Sequence, residues 1–450
     1  MFIAKDDKVD NIREYTESDY IMKYIIDNIS KIVEIPSIIQ NPEMIMKVLE
    51  TFLGFAENNR YQIEKEENYG CIIYPGCIRG LEIGIFTHLD VVPAGEGWNF
   101  EPYRLTKKEG LLIGRGTLDD KGPAVVALAA MNYFASHHIE LPFSIRLFLG
   151  GQEESGMGDV KKFLQTHCAP QFSVTPDNMF PVGIGESSMA MIAITTEVDG
   201  DILTFMGKII NPRMGYARVI LAETVPIIYP SPFIRQKGNV IETVINNLEA
   251  SNCIEMMTNF LLDNHLVFGK SKKALELISK LSVLQNLSYA EMNKRNYLYL
   301  RPNEIHIKDR KLIIKYYVRY HVLNCIENIV HYLKEFLYSF QYELEIISEH
   351  GGVYVDPDRH EVQLLLKAYN KVTGFNGNVY FDNYGTYAAR MPNTVAFGVR
   401  EIEPHSLLGD GRGNMHQKDE YITVNEVKVA LETYIRAILY LAEYYEEEKG

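Results

Sequence analysis

The stretch LEIGIFTHLDVVPAG, residues 81–95, decides the fold. Its first part, LEIGIF, is an apolar run of the kind that forms a buried strand. His88, Asp90 and Pro93 then follow within a few residues. On extended backbone the side chains of His88 and Asp90 point the same way, because they are two residues apart. The two are therefore either a satisfied core pair or a metal ligand beside the carboxylate that orients it.

Strands and helices alternate on both sides of this stretch. The apolar runs predict strands near residues 71–75, 111–116, 143–151 and 171–177. Helical patterns lie between them at 122–138, which has a proline early in the helix, and at 159–167. Such alternation is typical of an α/β fold with a mainly parallel sheet. In these sheets ligands collect at the carboxyl ends of the strands.

The pattern changes after Glu186. β-rich, alternating runs follow, with helices expected near 239–263 and 271–285, and the α/β pattern returns from about residue 350. We therefore predict a discontinuous first domain, 1–187 and 349–450, with an α+β domain inserted at 188–348.

Composition excludes some classes of function. The chain has 450 residues and a formal net charge of -14, which argues against nucleic acid or an anionic membrane as partner. No apolar run approaches the about 20 residues of a membrane span, and the charged N-terminal stretch lacks the apolar core of a signal peptide. The five cysteines are scattered and form no CxxC pair, which favours a reducing cytoplasm.

Acidic residues and histidines recur at predicted strand ends and loops. Each has an ordinary explanation when taken alone, as a core pair, a solvated acid or a helix N-cap. Together they form an oxygen and nitrogen ligand set suited to zinc or a similar metal. The stretches are GRGTLDDKGP with Asp119 and Asp120, LFLGGQEESG with Glu153 and Glu154, SVTPD with Asp177, and GNMHQKDEY with His416.

These stretches resemble the signatures of the two-zinc peptidase and deacylase family. It includes aminoacylase, glutamate carboxypeptidases and succinyl-diaminopimelate desuccinylase, and the chain is most similar to bacterial dipeptidases of the peptidase V, carnosinase-like type. The likeness is dense over 82–186 and returns over 350–422. It implies a mainly parallel-sheet metallopeptidase catalytic domain with an inserted α+β lid domain, and two zinc ions, with cobalt or manganese as alternatives.

The resemblance also assigns roles. It implies that Asp119 bridges two metals and that the Asp119–Asp120 peptide bond is cis. Asp90 would orient the His88 ring, and Glu153 would be the general base that takes a proton from a metal-bridging hydroxide or water and passes it to the leaving amine. The remaining ligands divide between the metals, with His88 and Asp177 at one and Glu154 and His416 at the other.

The expected substrate site departs from the family pattern. In YYVRYHV, Arg319 matches a lid arginine that would hold a substrate carboxylate, although a surface arginine explains it equally well. Gly385 and Thr386 match a substrate loop of the family. In this loop Asp382, Asn383 and Tyr384 would narrow the substrate pocket or change its charge. The family's lid histidine, which stabilises the oxyanion, has no counterpart between Val225 and Gly238.

The sequence therefore predicts a metallo-dipeptidase acting on dipeptides or small peptides. The alternatives are an N-acyl amino acid deacylase of the same family and a catalytically weak metal-binding relative that binds a small ligand. The long lid favours a monomer, with a homodimer as the alternative.

Overall fold

The computed structural model describes residues 7–56, 60–211, 214–243, 252–285, 297–382, 385–401 and 406–448. The chain divides into two compact units, one made of Met1–Glu186 and Val353–Gly450 and the other of Ser187–Gly352. The inserted domain predicted at 188–348 falls inside the second of these units.

The helices are short to medium in length, apart from the last one. They are α1 (Asp7–Glu17), α2 (Asp19–Val33), α3 (Pro42–Leu53), α4 (Lys121–Ser136), α5 (Gly158–Thr166), α6 (Cys253–Asp263), α7 (Gly269–Leu281), α8 (Ile326–Phe336), α9 (His360–Thr373) and α10 (Val424–Glu447).

The strands form the centre of each unit. They are β1 (Gln62–Lys65), β2 (Tyr69–Tyr74), β3 (Glu82–His88), β4 (Thr106–Lys108), β5 (Leu111–Ile113), β6 (Ser144–Gly150), β7 (Phe172–Thr175), β8 (Met179–Phe180), β9 (Val182–Glu186), β10 (Ser188–Glu197), β11 (Ile202–Asn211), β12 (Met214–Leu221), β13 (Ile234–Lys237), β14 (Val240–Thr243), β15 (Leu298–Lys308), β16 (Lys311–Tyr320), β17 (Glu343–His350), β18 (Val353–Tyr354), β19 (Val379–Asp382), β20 (Thr394–Ala396), β21 (Arg400–Glu401) and β22 (Tyr421–Thr423).

The main sheet of the first unit has a parallel centre. Its strand order is β1-β2-β6-β3-β7-β20-β9-β18, and β19 also pairs with β9. Strands β6, β3, β7 and β20 run parallel, whereas β1, β2 and β18 are antiparallel to their neighbours. Strand β3 is buried along almost its whole length, as its apolar sequence predicts. The predicted α/β class with a mainly parallel sheet is confirmed.

A small three-stranded sheet fixes two distant loops beside each other. Its order is β22-β5-β4, and Tyr421 pairs antiparallel with Ile113. In an antiparallel pair the residues that precede one strand lie opposite those that follow the other. The loop ending at Glu420 therefore lies against the loop that begins at Gly114.

The second unit is an antiparallel sheet with helices. Its strand order is β13-β14-β12-β11-β15-β16-β10-β17, and residues of α6, α7 and α8 share its apolar core. The predicted helix near 239–263 is wrong at its start, because Val240–Thr243 is strand β14. The residues Gly238 and Asn239 join β13 to β14 as a two-residue hairpin turn, with Gly238 at a φ of 62°. Residues 244–251 of that prediction lie outside the described residues.

Candidate metal centre

The sheet order brings most of the predicted ligands to one edge. His88 ends β3, Glu153 and Glu154 lie in a 3-10 turn shortly after β6, and Asp177 follows β7. Strand β3 lies between β6 and β7 and is parallel to both, so the carboxyl ends of the three strands meet at the same edge. The four side chains are therefore neighbours although they are up to 89 positions apart in the sequence.

Six acidic and histidine side chains form two groups. In each group, one ligand atom from every member lies within 4.8 Å of the others. The first group is His88, Glu153 and Asp177, and all three are buried. The second group is Asp119, Glu154 and His416. The sequence placed Glu153 outside the ligand sets, whereas the geometry places its carboxylate beside His88 and Asp177.

Asp119 lies between the two groups. Its Oδ1 atom is 3.0 Å from Nε2 of His88, and its Oδ2 atom is 2.9 Å from Nε2 of His416. The His416 nitrogen is also 2.9 Å from Oε1 of Glu154. The peptide bond between Asp119 and Asp120 is cis, as the resemblance implies. A carboxylate that presents one oxygen to each group has the placement that a bridging ligand needs.

The buried atoms of this region fit divalent cations. Among the described residues, Nε2 of His88, Oδ1 of Asp119 and Oε1 of Glu153 are buried and form no hydrogen bond of good geometry, although the first two atoms lie 3.0 Å apart. Buried polar atoms rarely lack a partner, so such a cluster requires an explanation. Two imidazole nitrogens and several carboxylate oxygens are ligand types that zinc accepts. The residues present therefore fit a pair of zinc ions or similar cations.

The charges of the site lead to the same conclusion. Burial raises the pKa of Asp177 to about 7, and the neighbouring carboxylate of Asp119 adds to this rise. Hydrogen bonds to Asp119 and Glu154 raise the pKa of His416 to about 11. Without a cation, protons must therefore neutralise the crowded carboxylates. Divalent cations would replace those protons and relieve the repulsion directly.

Asp90 contacts both the His88 ring and the turn that carries Glu153. Nδ1 of His88 lies 3.0 Å from the main-chain oxygen of Asp90 and 3.5 Å from its Oδ1. Oδ1 and Oδ2 of Asp90 accept hydrogen bonds from the backbone N–H groups of Glu153, at 3.2 Å, and Glu154, at 3.1 Å. When Nδ1–H donates to the Asp90 oxygen, the Nε2 lone pair faces Asp119 and Asp177 and is available to a metal.

Sequence reasoning missed Glu420, which holds the Asp119 loop. Its Oε1 accepts from the backbone N–H groups of Gly116, Leu118 and Asp119, at 3.0, 2.9 and 3.1 Å. Its Oε2 pairs with Arg115 at 2.5 Å. The acid pair Asp419–Glu420 in MHQKDEY was the available signal, because adjacent acids require compensating donors.

The predicted substrate loop is held by a second missed residue, Glu186. The backbone N–H of Thr386 donates to both carboxylate oxygens of Glu186 at 3.1 Å, and the Thr386 hydroxyl lies 2.5 Å from Oε1. Thr386 is buried, while Gly385 is exposed. Asn383 and Tyr384 lie outside the described residues, so the predicted narrowing of the pocket stays a prediction.

Arg319 lies on β16 of the second unit. Its Nε donates to the Tyr317 hydroxyl at 3.1 Å, and its guanidinium lies 5.2 Å from the centre of the Tyr317 ring. The predicted contact with a substrate carboxylate stays a prediction.

In the part of the chain that the structure describes, no helix combines the length and apolar character that crossing a membrane requires.

A family model and named relatives match most of the chain. The model of "Peptidase family M20/M25/M40" matches residues 84–440. A protein of Staphylococcus epidermidis named "Putative dipeptidase" is 26% identical over 397 residues, which covers 79% of this chain and 82% of that protein.

Solved structures share the fold across nearly the whole chain. Human carnosine dipeptidase 1 has a TM-score of 0.58 and 14% identity, and the match covers 97% of this chain and 99% of that one. The di-peptidase Dug1p of Saccharomyces cerevisiae has a TM-score of 0.59 and 12% identity, with 98% and 99% covered. The Bacillus subtilis YXEP protein, described as a dinuclear metal binding peptidase, has a TM-score of 0.56 and 12% identity, with 95% and 99% covered.

The position of Asp119 predicts an unequal effect of two ligand substitutions. We expect Asp119→Ala to lose both bound ions, because its oxygens face both groups, and His416→Ala to lose only one. Elemental analysis of zinc-loaded, dialysed protein measures the metal content per chain. Asp358→Ala, which changes an exposed aspartate, is the control and should keep both ions. An Asp119→Ala protein that still holds two ions would contradict the bridging position.

Glu186 predicts a pH dependence of stability. Burial raises the pKa of Glu186 to about 8, whereas an exposed glutamate has a pKa of about 4.3. Between these pH values the folded state binds more protons than the unfolded state, so the free energy of unfolding falls as pH rises through this window. Glu186→Gln removes this contribution.

Chemical unfolding of metal-free protein at pH 5 and pH 8 tests this expectation. From pH 5 to pH 8 we expect the free energy of unfolding of the wild type to fall more than that of Glu186→Gln. The difference should be on the order of a few kcal/mol. The exposed-site variant Glu443→Gln should follow the wild type. If the free energy of unfolding changes equally between pH 5 and pH 8 in the wild type and in Glu186→Gln, a neutral, buried Glu186 is ruled out.

Proposed function

The chain belongs to the peptidase family M20/M25/M40, and from this premise we propose that it is a metallo-dipeptidase. It would hydrolyse the peptide bond of dipeptides or small peptides with the help of two divalent cations, of which zinc is the first candidate. The single observation that supports this most strongly is the pair of ligand groups around Asp119, with the buried carboxylate of Glu153 beside them. The names of the dipeptidase relatives support the choice of substrate class.

We propose the division of ligands that the family resemblance implies. His88 and Asp177 would hold one cation, Glu154 and His416 the other, and Asp119 both. Bound there, the cations would lower the pKa of a water molecule and polarise the scissile carbonyl. The nitrogen and oxygen ligands do not select one metal, so cobalt and manganese stay as alternatives.

Glu153 is proposed as the general base. Its Oε1 is buried and, among the described residues, has no hydrogen-bond partner. Burial, followed by the charge of Asp177, raises the pKa of Glu153 well above its ordinary value. With the two cations bound, the Glu153 carboxylate would be ionised and could take a proton from water and then give it to the leaving amine. Its backbone N–H is fixed by Asp90 at 3.2 Å, which limits where the carboxylate can go.

The proposed substrate contacts follow from the family resemblance. Arg319, Gly385 and Thr386 stay proposed contacts, and the second unit is proposed as the lid. The segment between Val225 and Gly238 contains no histidine. The oxyanion of the tetrahedral intermediate is therefore stabilised by another hydrogen-bond donor or lacks this donor altogether. The cytoplasmic location, the monomer and its homodimer alternative stay predictions.

Two other functions stay as alternatives, and a specific observation favours the second of them. An N-acyl amino acid deacylase would use the same metal site, and only the substrate side would differ. A catalytically weak metal-binding relative is favoured by the missing lid histidine, since loss of one oxyanion donor costs about two to three powers of ten in rate.

A substrate panel separates these functions. Protein loaded with zinc, cobalt or manganese is incubated with a set of dipeptides and a set of N-acyl amino acids, and amine release is measured. We expect turnover of dipeptides above that of N-acyl amino acids. Turnover of N-acyl amino acids alone would establish the deacylase, and no turnover of either set would rule out both enzymes.

The role of Glu153 has its own test. We expect Glu153→Ala to keep both ions and to lose a factor of about 100 to 10,000 in kcat, because proton transfer is removed. Glu443→Ala, at an exposed position of α10, is the matched control and should keep full activity. Full activity in Glu153→Ala would show that the base is another group.

A further inference from the structure

Two buried side chains, Asp159 and Tyr387, lie beside the turn that carries Glu153 and Glu154. Asp159 lies near the start of α5, and Tyr387 begins a 3-10 turn after the predicted substrate loop. Both are completely buried. Neither belongs to the two ligand groups.

The turn is held by an unbroken series of hydrogen bonds. Oδ2 of Asp159 accepts from the backbone N–H groups of Gly151 and Gln152, both at 2.9 Å. Asp90 accepts from the next two N–H groups, those of Glu153 and Glu154, at 3.2 and 3.1 Å. Four consecutive N–H groups therefore bind two buried carboxylates.

Tyr387 completes this arrangement on the Asp159 side. Its hydroxyl donates to Oδ2 of Asp159 at 2.5 Å, the same oxygen that binds Gly151 and Gln152. Its ring packs edge-on against Phe148, with centroids 5.6 Å apart, and lies 6.3 Å from the His88 ring. A Cβ atom at Gly150 would overlap the Tyr387 hydroxyl, so the backbone before the turn is shaped to this contact.

The hydroxyl matters because Asp159 is a buried carboxyl group. Burial raises the pKa of Asp159, and the hydrogen bond from Tyr387 opposes that rise. Burial also raises the pKa of Tyr387, and the nearby carboxylate of Asp159 raises it further, so the hydroxyl keeps its proton and donates it. A charged acceptor forms stronger hydrogen bonds to backbone N–H groups than a neutral one.

We propose that Asp159 and Tyr387 are a positioning pair that fixes the 151–154 turn and thereby sets the position of the Glu153 carboxylate. The pair also links that turn to the 385–387 segment, which follows the predicted substrate loop. The catalytic meaning of the pair rests on the proposed role of Glu153. A shift of about 1 Å in a catalytic group can cost a hundredfold in rate, so a single hydroxyl at this place affects turnover without touching substrate.

Tyr387→Phe tests the pair because it removes the hydroxyl and keeps the ring. The matched control is Tyr434→Phe, which removes another buried hydroxyl, one that donates to the main-chain oxygens of Phe397 and Gly398 at 3.0 and 2.9 Å. Asp159→Asn, which keeps the volume of the side chain, is the second variant should Tyr387→Phe fail to fold.

Amide hydrogen exchange of zinc-loaded, full-length protein gives a readout that needs no activity. We expect exchange in the peptide covering 150–157 to be about tenfold faster in Tyr387→Phe than in the wild type, and unchanged in Tyr434→Phe. Equal exchange in all three proteins would overturn the pair. Equal acceleration in both variants would also overturn it, because the effect would then be a general loss of stability.

Kinetics then test whether the turn positions the base. We expect kcat of Tyr387→Phe to fall about tenfold to a hundredfold, KM to change less than about threefold, and the metal content to stay at two ions per chain. Wild-type kcat in a variant with faster exchange would overturn the link to Glu153. Absence of dipeptide turnover in the wild type would instead reject the proposed function, while the exchange result would still decide on the pair.

Discussion

Buried carboxylates that accept hydrogen bonds from successive backbone N–H groups hold the loops of this protein in place. Asp90 and Asp159 together bind the four N–H groups of residues 151–154, and Glu420 binds three in the loop that carries Asp119. Loops at strand ends lack the regular hydrogen bonds of a sheet, so they need such partners to keep one conformation. The proposed metal ligands can converge only because these loops are fixed.

This construction concentrates negative charge in a buried region, which costs free energy unless positive groups compensate it. Part of the compensation is internal, since Arg115 pairs with Glu420 at 2.5 Å and N–H groups and the Tyr387 hydroxyl surround the other acids. The carboxylates of Asp119, Glu153, Glu154 and Asp177 have no arginine or lysine among their close ion-pair partners in the described residues. A pair of divalent cations is the compensation that their geometry fits.

The sequence points to the proposed ligands because each follows an apolar strand or stands in a recognisable motif, and the structure brings these side chains together. The side chains that hold the loops of these residues could not be predicted in the same way. Glu420 contacts residues about 300 positions away, and Tyr387 contacts Asp159 over 228 positions. Contacts between residues so far apart leave no local pattern in the sequence. They depend on which strands are neighbours; the pairing of Tyr421 with Ile113, for example, brings Glu420 to the Asp119 loop. The apolar residues at 240–243 predict the start of a helix, whereas the Gly238–Asn239 turn folds them back as the second strand of a hairpin.

The central proposal is that five side chains, brought together by one sheet edge and two fixed loops, hold two cations with Asp119 between them and Glu153 beside them. Anomalous diffraction from zinc-loaded crystals tests it most directly. The account predicts two zinc peaks about 3.5–4 Å apart, each within bonding distance of an Asp119 oxygen. A single peak, or none in this region at full zinc loading, would contradict it.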